Sequence, residues 1–327
     1  MAQQREYTGG RFSLDISGKN VGFLKKFSGF ALEADIVSND LNPEARQKKH
    51  VAKFKWTPGK ATVGIGMGKE LYEWIKAAFD KGYVTKSGAL VATDFNYKER
   101  SVHEFQNAHL TSLTIPALDG SSKDAGYFNV EFEAQMVRWN KGSGKDIRGM
   151  VVPKQKAWLC SNFRIELGGL PCSRVVSIDS FTWKCAVASD QAGIVSEPTK
   201  HPAKVTVPDL KLSISMADYP PWADAAKQWF VDGQHLEENE MQGRIVFLGP
   251  NKKDEIGQIA LLNCGFKKFA MDDVGTNTNK IARFNVELYV EKMEFRLNFV
   301  DSPIKRQSRQ SKGGEVSKPR SRDARCR

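Results

Sequence analysis

Gly64-Ile-Gly-Met-Gly-Lys69 is the stretch of this sequence nearest to a chemical site, because glycines ahead of a lysine can cradle phosphate on backbone N–H groups. A phosphate loop needs four residues between its glycines and a Ser or Thr after the lysine. Here Glu70 follows, and its carboxylate would repel phosphate, so the stretch reads as a strand bend leading into a helix. Five histidines, His50, His103, His109, His201 and His235, contain no HxH or HExxH pair and offer no metal spacing. Five cysteines, Cys160, Cys172, Cys185, Cys264 and Cys326, show neither CxxC pairs nor metal spacing. The first four sit in strand-like contexts, where a thiol acts as a small apolar group. No GxSxG elbow is present. The expectation is no catalytic, cofactor-binding or metal-ligating residue, no cofactor, and a structural rather than enzymatic role.

The elements that would position any site occur twice. Residues 12–36, FSLDISGKNVGFLKKFSGFALEADI, align without a gap on residues 163–187, FRIELGGLPCSRVVSIDSFTWKCAV, at an offset of 151. Phe12 falls on Phe163, Gly18 on Gly169 and Phe30 on Phe181, while Trp183 replaces Leu32 with a bulkier apolar group. The match continues through His50 and His201, Trp74 and Trp229, Asn107 and Asn263, and closes at Phe128-Asn-Val-Glu and Phe284-Asn-Val-Glu, 156 apart. Solenoid periods are only about 20 to 50 residues, so this repeat reads as a duplicated domain. The expected organisation is a first domain over 1–139, a linker over 140–158 rich in Gly, Ser and Lys, a second domain over 159–300 and a disordered basic tail over 301–327.

Within each copy the pattern is mainly β with one helix, an α+β class. Phe12, Leu14 and Ile16 alternate with Ser13, Asp15 and Ser17, and Phe128, Val130 and Phe132 with Asn129, Glu131 and Glu133. That period of two makes half-buried strands, with a second strand expected over 27–37 and its copy over 178–188. Leu71, Trp74, Ile75 and Ala78 recur at three and four before Gly82, and Trp222, Ala226, Trp229 and Phe230 repeat the stripe between Pro221 and Gly233. Both segments read as amphipathic helices lidding a barrel, with Trp74 and Trp229 in the core.

Charge is unevenly placed. Of the net +11, the stretch 302–327 carries +7, nine Lys or Arg against Glu315 and Asp323, which leaves +4 for the rest. So few apolar side chains cannot offset ordering entropy, so a disordered tail is expected, a tether to phosphate or to an acidic surface. Nucleic-acid binding by this tail, helped by Lys25, Lys26, Lys48, Lys49, Lys252 and Lys253, is the alternative function. No apolar run approaches the ~20 residues of a membrane span, and no leader pattern opens the chain, so synthesis in the cytoplasm without membrane insertion is expected.

Taken in order, Phe12-Ser-Leu-Asp-Ile-Ser-Gly, Phe27-Ser-Gly-Phe-Ala-Leu-Glu-Ala-Asp, Leu71-Tyr-Glu-Trp-Ile, Asn107-Ala-His-Leu-Thr-Ser-Leu and Phe128-Asn-Val-Glu-Phe-Glu resemble the tail-tube protein family of contractile phages. That family includes the inner tubes of phage-tail-like injection systems and is similar in fold to the haemolysin-coregulated protein of type VI secretion. The resemblance covers residues 8–139 and, more faintly, 159–300. It implies a small β-barrel or sandwich flanked by one helix, joined edge to edge into a hexameric ring that stacks into a hollow tube. With two tandem domains it implies a pseudo-hexamer, as a trimer or a hexamer of chains, with tube, sheath or baseplate proteins as partners and DNA or protein as lumen cargo. The assembled site would be a virion tail or injection particle. The family's Gly-Gly stacking loop is replaced by residues 38–49, SNDLNPEARQKK, and by residues 189–200, SDQAGIVSEPTK, which counts against a long tube and leaves tube, cap, adaptor and baseplate-proximal ring as alternatives.

Overall fold

The alternation at Phe12, Leu14 and Ile16 becomes strand β1 (Phe12–Ile16), which turns into β2 (Lys19–Leu24) through Ser17 and Gly18 at φ 53° and 79°. Two successive positive φ values make the tight hairpin whose twist suits paired strands. The copy repeats this turn at Gly168 and Gly169, φ 43° and 81°. The computed structural model describes residues 10–39, 48–147, 158–190, 199–272 and 281–298. The expected tail over 301–327 lies outside the described residues.

The single strand expected over 27–37 is interrupted. Strand β3 (Lys26–Ser28) ends at Gly29, φ 106°, and Phe30, φ 55°, before β4 (Leu32–Asn39) begins. A Cβ at Gly29 would lie 2.0 Å from the carbonyl oxygen of Pro58, so the backbones pass too closely there for any side chain. The kink turns Phe30 into the core and sends β4 out to pair with β5 (Lys48–Trp56).

Next come β6 (Gly59–Gly64), α1 (Lys69–Phe79), β7 (Lys86–Thr93), β8 (Glu99–Ile115), β9 (Leu118–Asp119), β10 (Tyr127–Glu133) and β11 (Met136–Lys141). They are followed by β12 (Phe163–Leu167), β13 (Val175–Ile178), β14 (Phe181–Asp190), β15 (Thr199–Thr206), β16 (Leu210–Ser215), α2 (Tyr219–Phe230), β17 (Met241–Leu248), β18 (Glu255–Met271) and β19 (Arg283–Leu297). The first sheet runs β2-β1-β7-β8-β10-β6-β3, with β11 also on β8; the second runs β12-β17-β18-β19-β16-β13-β9. With β19 standing where β10 and β11 stand, the two orders coincide from β1 to β3 and from β12 to β13. The fold is thus mainly β with one α-helix beside each set of strands.

Local devices recur at the same places. Asn107 and Asn263 both adopt positive φ, 47° and 55°, in the middle of the long strands β8 and β18. Their amides donate to Gln135 Oε1 at 3.0 Å and to Glu291 Oε2 at 3.0 Å, acceptors that are themselves 156 apart. Asn tolerates the left-handed region better than most residues, so one residue can turn a strand between two sets of neighbours. The first half of β8 pairs with β7 and β11, and the second half with β10.

Helix α1 buries Leu71, Trp74, Ile75 and Ala78 as expected, and Gly82 N–H closes it on Ala77 O at 2.7 Å. In α2, Trp222, Ala226 and Trp229 are buried, but Phe230, expected on the same face, is half exposed. Each step of four advances a side chain about 40° round a helix, so Phe230 lies about 80° from Trp222, at the rim of the buried face. The Gly64–Lys69 stretch is a bend into α1. Gly68 N–H donates to Val21 O at 2.9 Å, and Glu70 pairs with Lys19 at 2.9 Å. Of the segment expected as linker, residues 140–147 lie along β8, with Gly142 N–H on Arg100 O at 2.8 Å and Ile147 N–H on Tyr97 O at 3.1 Å. Trp158 is buried, and 148–157 lie outside the described residues.

Candidate assembly interface

Strand alternation decides which side chains are buried; it leaves open which strand lies alongside. Here the edge of β8 in the first half of the chain is filled by β14 from the second half, with Phe181 opposite Ile115, Thr182 opposite Thr114, Trp183 opposite Leu113 and Lys184 opposite Ser112. Thr114 Oγ1 and Thr182 Oγ1 are 2.9 Å apart. Trp183 stacks on Phe79 of α1, centroids 4.8 Å apart and planes at 16°, and Phe79 also meets Phe295 of β19 at 6.1 Å. A second seam pairs Leu118 of β9 with Ile178 of β13. Trp158 stacks on Phe128 at 5.8 Å and meets Phe247 edge-on at 4.8 Å, so one apolar core crosses the junction.

A polar contact closes the rim of this junction. Lys200 Nζ reaches Glu133 Oε2 at 3.2 Å, and His109 Nε2 lies 3.0 Å from Lys200 O. A carbonyl only accepts, so the neutral ring carries its proton on Nε2. Burial is the main influence holding His109 below the ordinary 6.5, with His201 and the Lys200 ammonium acting the same way. The unfolded chain therefore binds the proton first, and stability falls as pH drops below about 6.5. His109→Gln is expected to make the melting temperature less sensitive between pH 7.5 and pH 5.5, leaving the share due to His103, whose burial also lowers it. Equal pH dependence in the two proteins would show that His109 contributes nothing.

The ribbon of β4 and β5 repeats the ribbon of β14 and β15. Glu33 faces Lys55 as Lys184 faces Thr206, Val37 faces His50 as Ala188 faces His201, and both carry a register shift one residue after Ala34 or Cys185. Among the described residues, however, β4 pairs with β5 alone. Likewise Lys268–Met271 of β18, at the positions of Ser112–Ile115, pair with β19 on one side, and no described strand covers the other. That open edge borders a groove of about 530 Å³ flanked by Lys211, Ser213 and Asn285. Three side chains buried at the filled junction are exposed at their counterparts, while Phe30, like its counterpart Phe181, is buried: Trp183 is 1% exposed and Leu32 48%, Ile115 0% and Met271 61%, Phe295 1% and Trp139 56%.

The chain is similar to proteins of contractile injection systems. It matches an extracellular contractile injection system described as a sheath/tube terminator in the extended state, at 20% identity over 42% of this chain and 99% of that one, with a TM-score of 0.38. A sheath-tube complex of the same kind matches at 20% identity over 42% and 93%, TM-score 0.37. The tube-terminating cap of the anti-feeding prophage matches at 19% identity over 43% and 95%, TM-score 0.37. No family model and no curated protein matches the chain.

The residues considered for chemistry are dispersed. His50 and His201 are exposed on matching ribbons. Cys185 and Cys264 lie in strands as expected, whereas Cys160 is buried in a turn and Cys172 lies in the irregular segment before β13, packed against the core. Burial pushes Cys172 up to about 11 and Cys264 up to about 12, which leaves little thiolate at neutral pH. Lys25 sits over the Tyr127 ring at 4.0 Å, Lys26 is on β3, Lys48 and Lys49 begin β5, and Lys252 and Lys253 occupy a turn after β17. Among the described residues, no group of three or more His, Cys, Asp or Glu could hold a metal, and no helix is long and apolar enough to cross a membrane.

Proposed function

We propose that this protein is a non-enzymatic ring component of a phage tail or phage-tail-like contractile injection system, built from two tandem tail-tube-like units. The first unit spans 1–139 and the second 159–300. The units sit side by side, so that three chains close a pseudo-hexameric ring with tube, sheath or baseplate proteins as neighbours. The observation that carries this reading is the pairing of β14 with β8, by which the sheet of one unit continues edge to edge into the ribbon of the next. Such a contact uses two different surfaces, and heterologous contacts either close into rings or run on as filaments. Closure also removes open strand edges, which would otherwise template aggregation. The repeated motif order and its resemblance to tail-tube proteins support a ring of six units.

Mass measurement with negative-stain imaging of the purified protein tests the proposal. Rings of about 110 kDa, three times 36.6 kDa, are the expected result. Rings of six chains, holding twelve units, would overturn the side-by-side placement in favour of two stacked rings. Monomers alone over the micromolar range would overturn the ring itself.

A further inference from the structure

The filled junction between the two units serves as a template for what the open edges receive. The geometry points to a junction between chains, in which residues 30–33, the kink and the first residues of β4 in one copy, add to Lys268–Met271 of β18 in a second copy of this chain, in the register of β14 on β8. This inference rests on the ring reading above and specifies its contact.

The template assigns every pair. Carried across the repeat offsets, Phe181 opposite Ile115 becomes Phe30 opposite Met271, and Thr182 opposite Thr114 becomes Ala31 opposite Ala270. Trp183 opposite Leu113 becomes Leu32 opposite Phe269, and Lys184 opposite Ser112 becomes Glu33 opposite Lys268. Three of the new pairs are complementary on their own terms. The hydrogen-bonded Thr–Thr pair is replaced on both sides at once by Ala–Ala, so neither partner strands a hydroxyl. The large–small pair Trp183 and Leu113 becomes a small–large pair, Leu32 and Phe269, which keeps apolar bulk at the centre. Glu33 opposite Lys268 puts opposite charges at the last position, a favourable cross-strand pair.

Both strands are prepared for this. The β4–β5 ribbon already holds the register and the bulge of the docked ribbon, and the β18 edge carries the same bulge, between Phe266 and Lys268, as the filled edge at Leu110 and Ser112. Apolar surface waits on each side. Leu32 and Trp139 are exposed on the first unit, where their counterparts Trp183 and Phe295 lie against Phe79. On the second unit the position of Phe79 is Gln234, and Phe230 and Val231 at the end of α2 carry the exposed apolar surface instead. The His109, Lys200 and Glu133 contact has no counterpart, since Gly265 and Tyr289 stand at the positions of His109 and Glu133. The junction between chains therefore lacks a polar clasp that the internal one holds.

Paired cysteines test the register in the full chain. Ala31→Cys with Ala270→Cys places two thiols where the template has hydroxyl oxygens 2.9 Å apart, so oxidation should link chains by a disulfide between positions 31 and 270. The expected products are covalent dimers and closed trimers, with the 31–270 peptide identified by mass spectrometry and no link in either single variant. A companion variant, Leu32→Asp, alters an exposed side chain, and is expected to keep the monomer melting temperature while abolishing rings. Wild-type rings without a 31–270 link, or rings that persist in Leu32→Asp, would overturn this junction while leaving the ring reading intact. Wild-type protein that stays monomeric would overturn both.

Discussion

Trp183→Ala is expected to lower the unfolding free energy by about 3 to 5 kcal/mol, the usual cost of emptying a large buried aromatic site. Trp183 is 1% exposed and stacked on Phe79, so its removal opens a void at the seam joining the two sheets. Leu32→Ala, at the same position in the first copy, is expected to change monomer stability by no more than about 0.5 kcal/mol, since that side chain is half exposed. Calorimetry on both variants at a concentration that holds the protein monomeric makes the comparison. Equal losses would mean that Leu32 is as well packed as Trp183 within one chain, and would remove the contrast between the filled and the open junction.

Trp74→Ala is expected to cost a similar amount, about 3 to 5 kcal/mol, for a different reason. Trp74 is buried under α1 against Phe132 at 5.6 Å, and its indole Nε1–H donates to Val84 O at 2.9 Å. Truncation therefore removes core volume and the contact that ties the segment after α1 to the helix. Trp74→Phe separates the two, restoring most of the volume without the donor, and should cost only about 1 to 2 kcal/mol. Chemical denaturation followed by far-UV circular dichroism reads both. A melting profile unchanged by Trp74→Ala would place the helix stripe outside the core.

Much of the architecture was legible because period-two alternation and matched anchors are local signals. β1, β10 and the two helices fall where Phe12-Ser-Leu, Phe128-Asn-Val and the Trp stripes place them. Asn107 and Asn263 matched in sequence because each holds a left-handed turn inside a strand, a demand that few side chains meet. The break at Gly29 was hidden, since the close pass of Pro58 that requires it is a tertiary contact. The junction was hidden for a related reason: alternation marks Trp183 as facing inward but says nothing of a strand from the other copy beside it. One trace was present, in the replacement of Leu32 by Trp183. The bulkier residue sits in the copy whose ribbon is docked within the chain. No comparable sign separated Phe230 from the stripe of α2, because helical spacing alone does not say where a sheet ends.

The pairing of β14 with β8 spans 68 residues of chain between Thr114 and Thr182. On a ribosome, at about 5 to 20 residues per second, β8 emerges roughly 3 to 14 seconds before the strand that covers it. Throughout that interval β8 presents an uncapped row of backbone donors and acceptors, next to the Phe79 face that Trp183 will later cover. Neighbouring nascent chains on one message carry the same open edge and, slightly ahead, the ribbon that fits it. Faster translation of the stretch between Ile115 and Phe181 should therefore raise the soluble yield, and pausing there should favour swapped assemblies in which the ribbon of one chain completes the sheet of another.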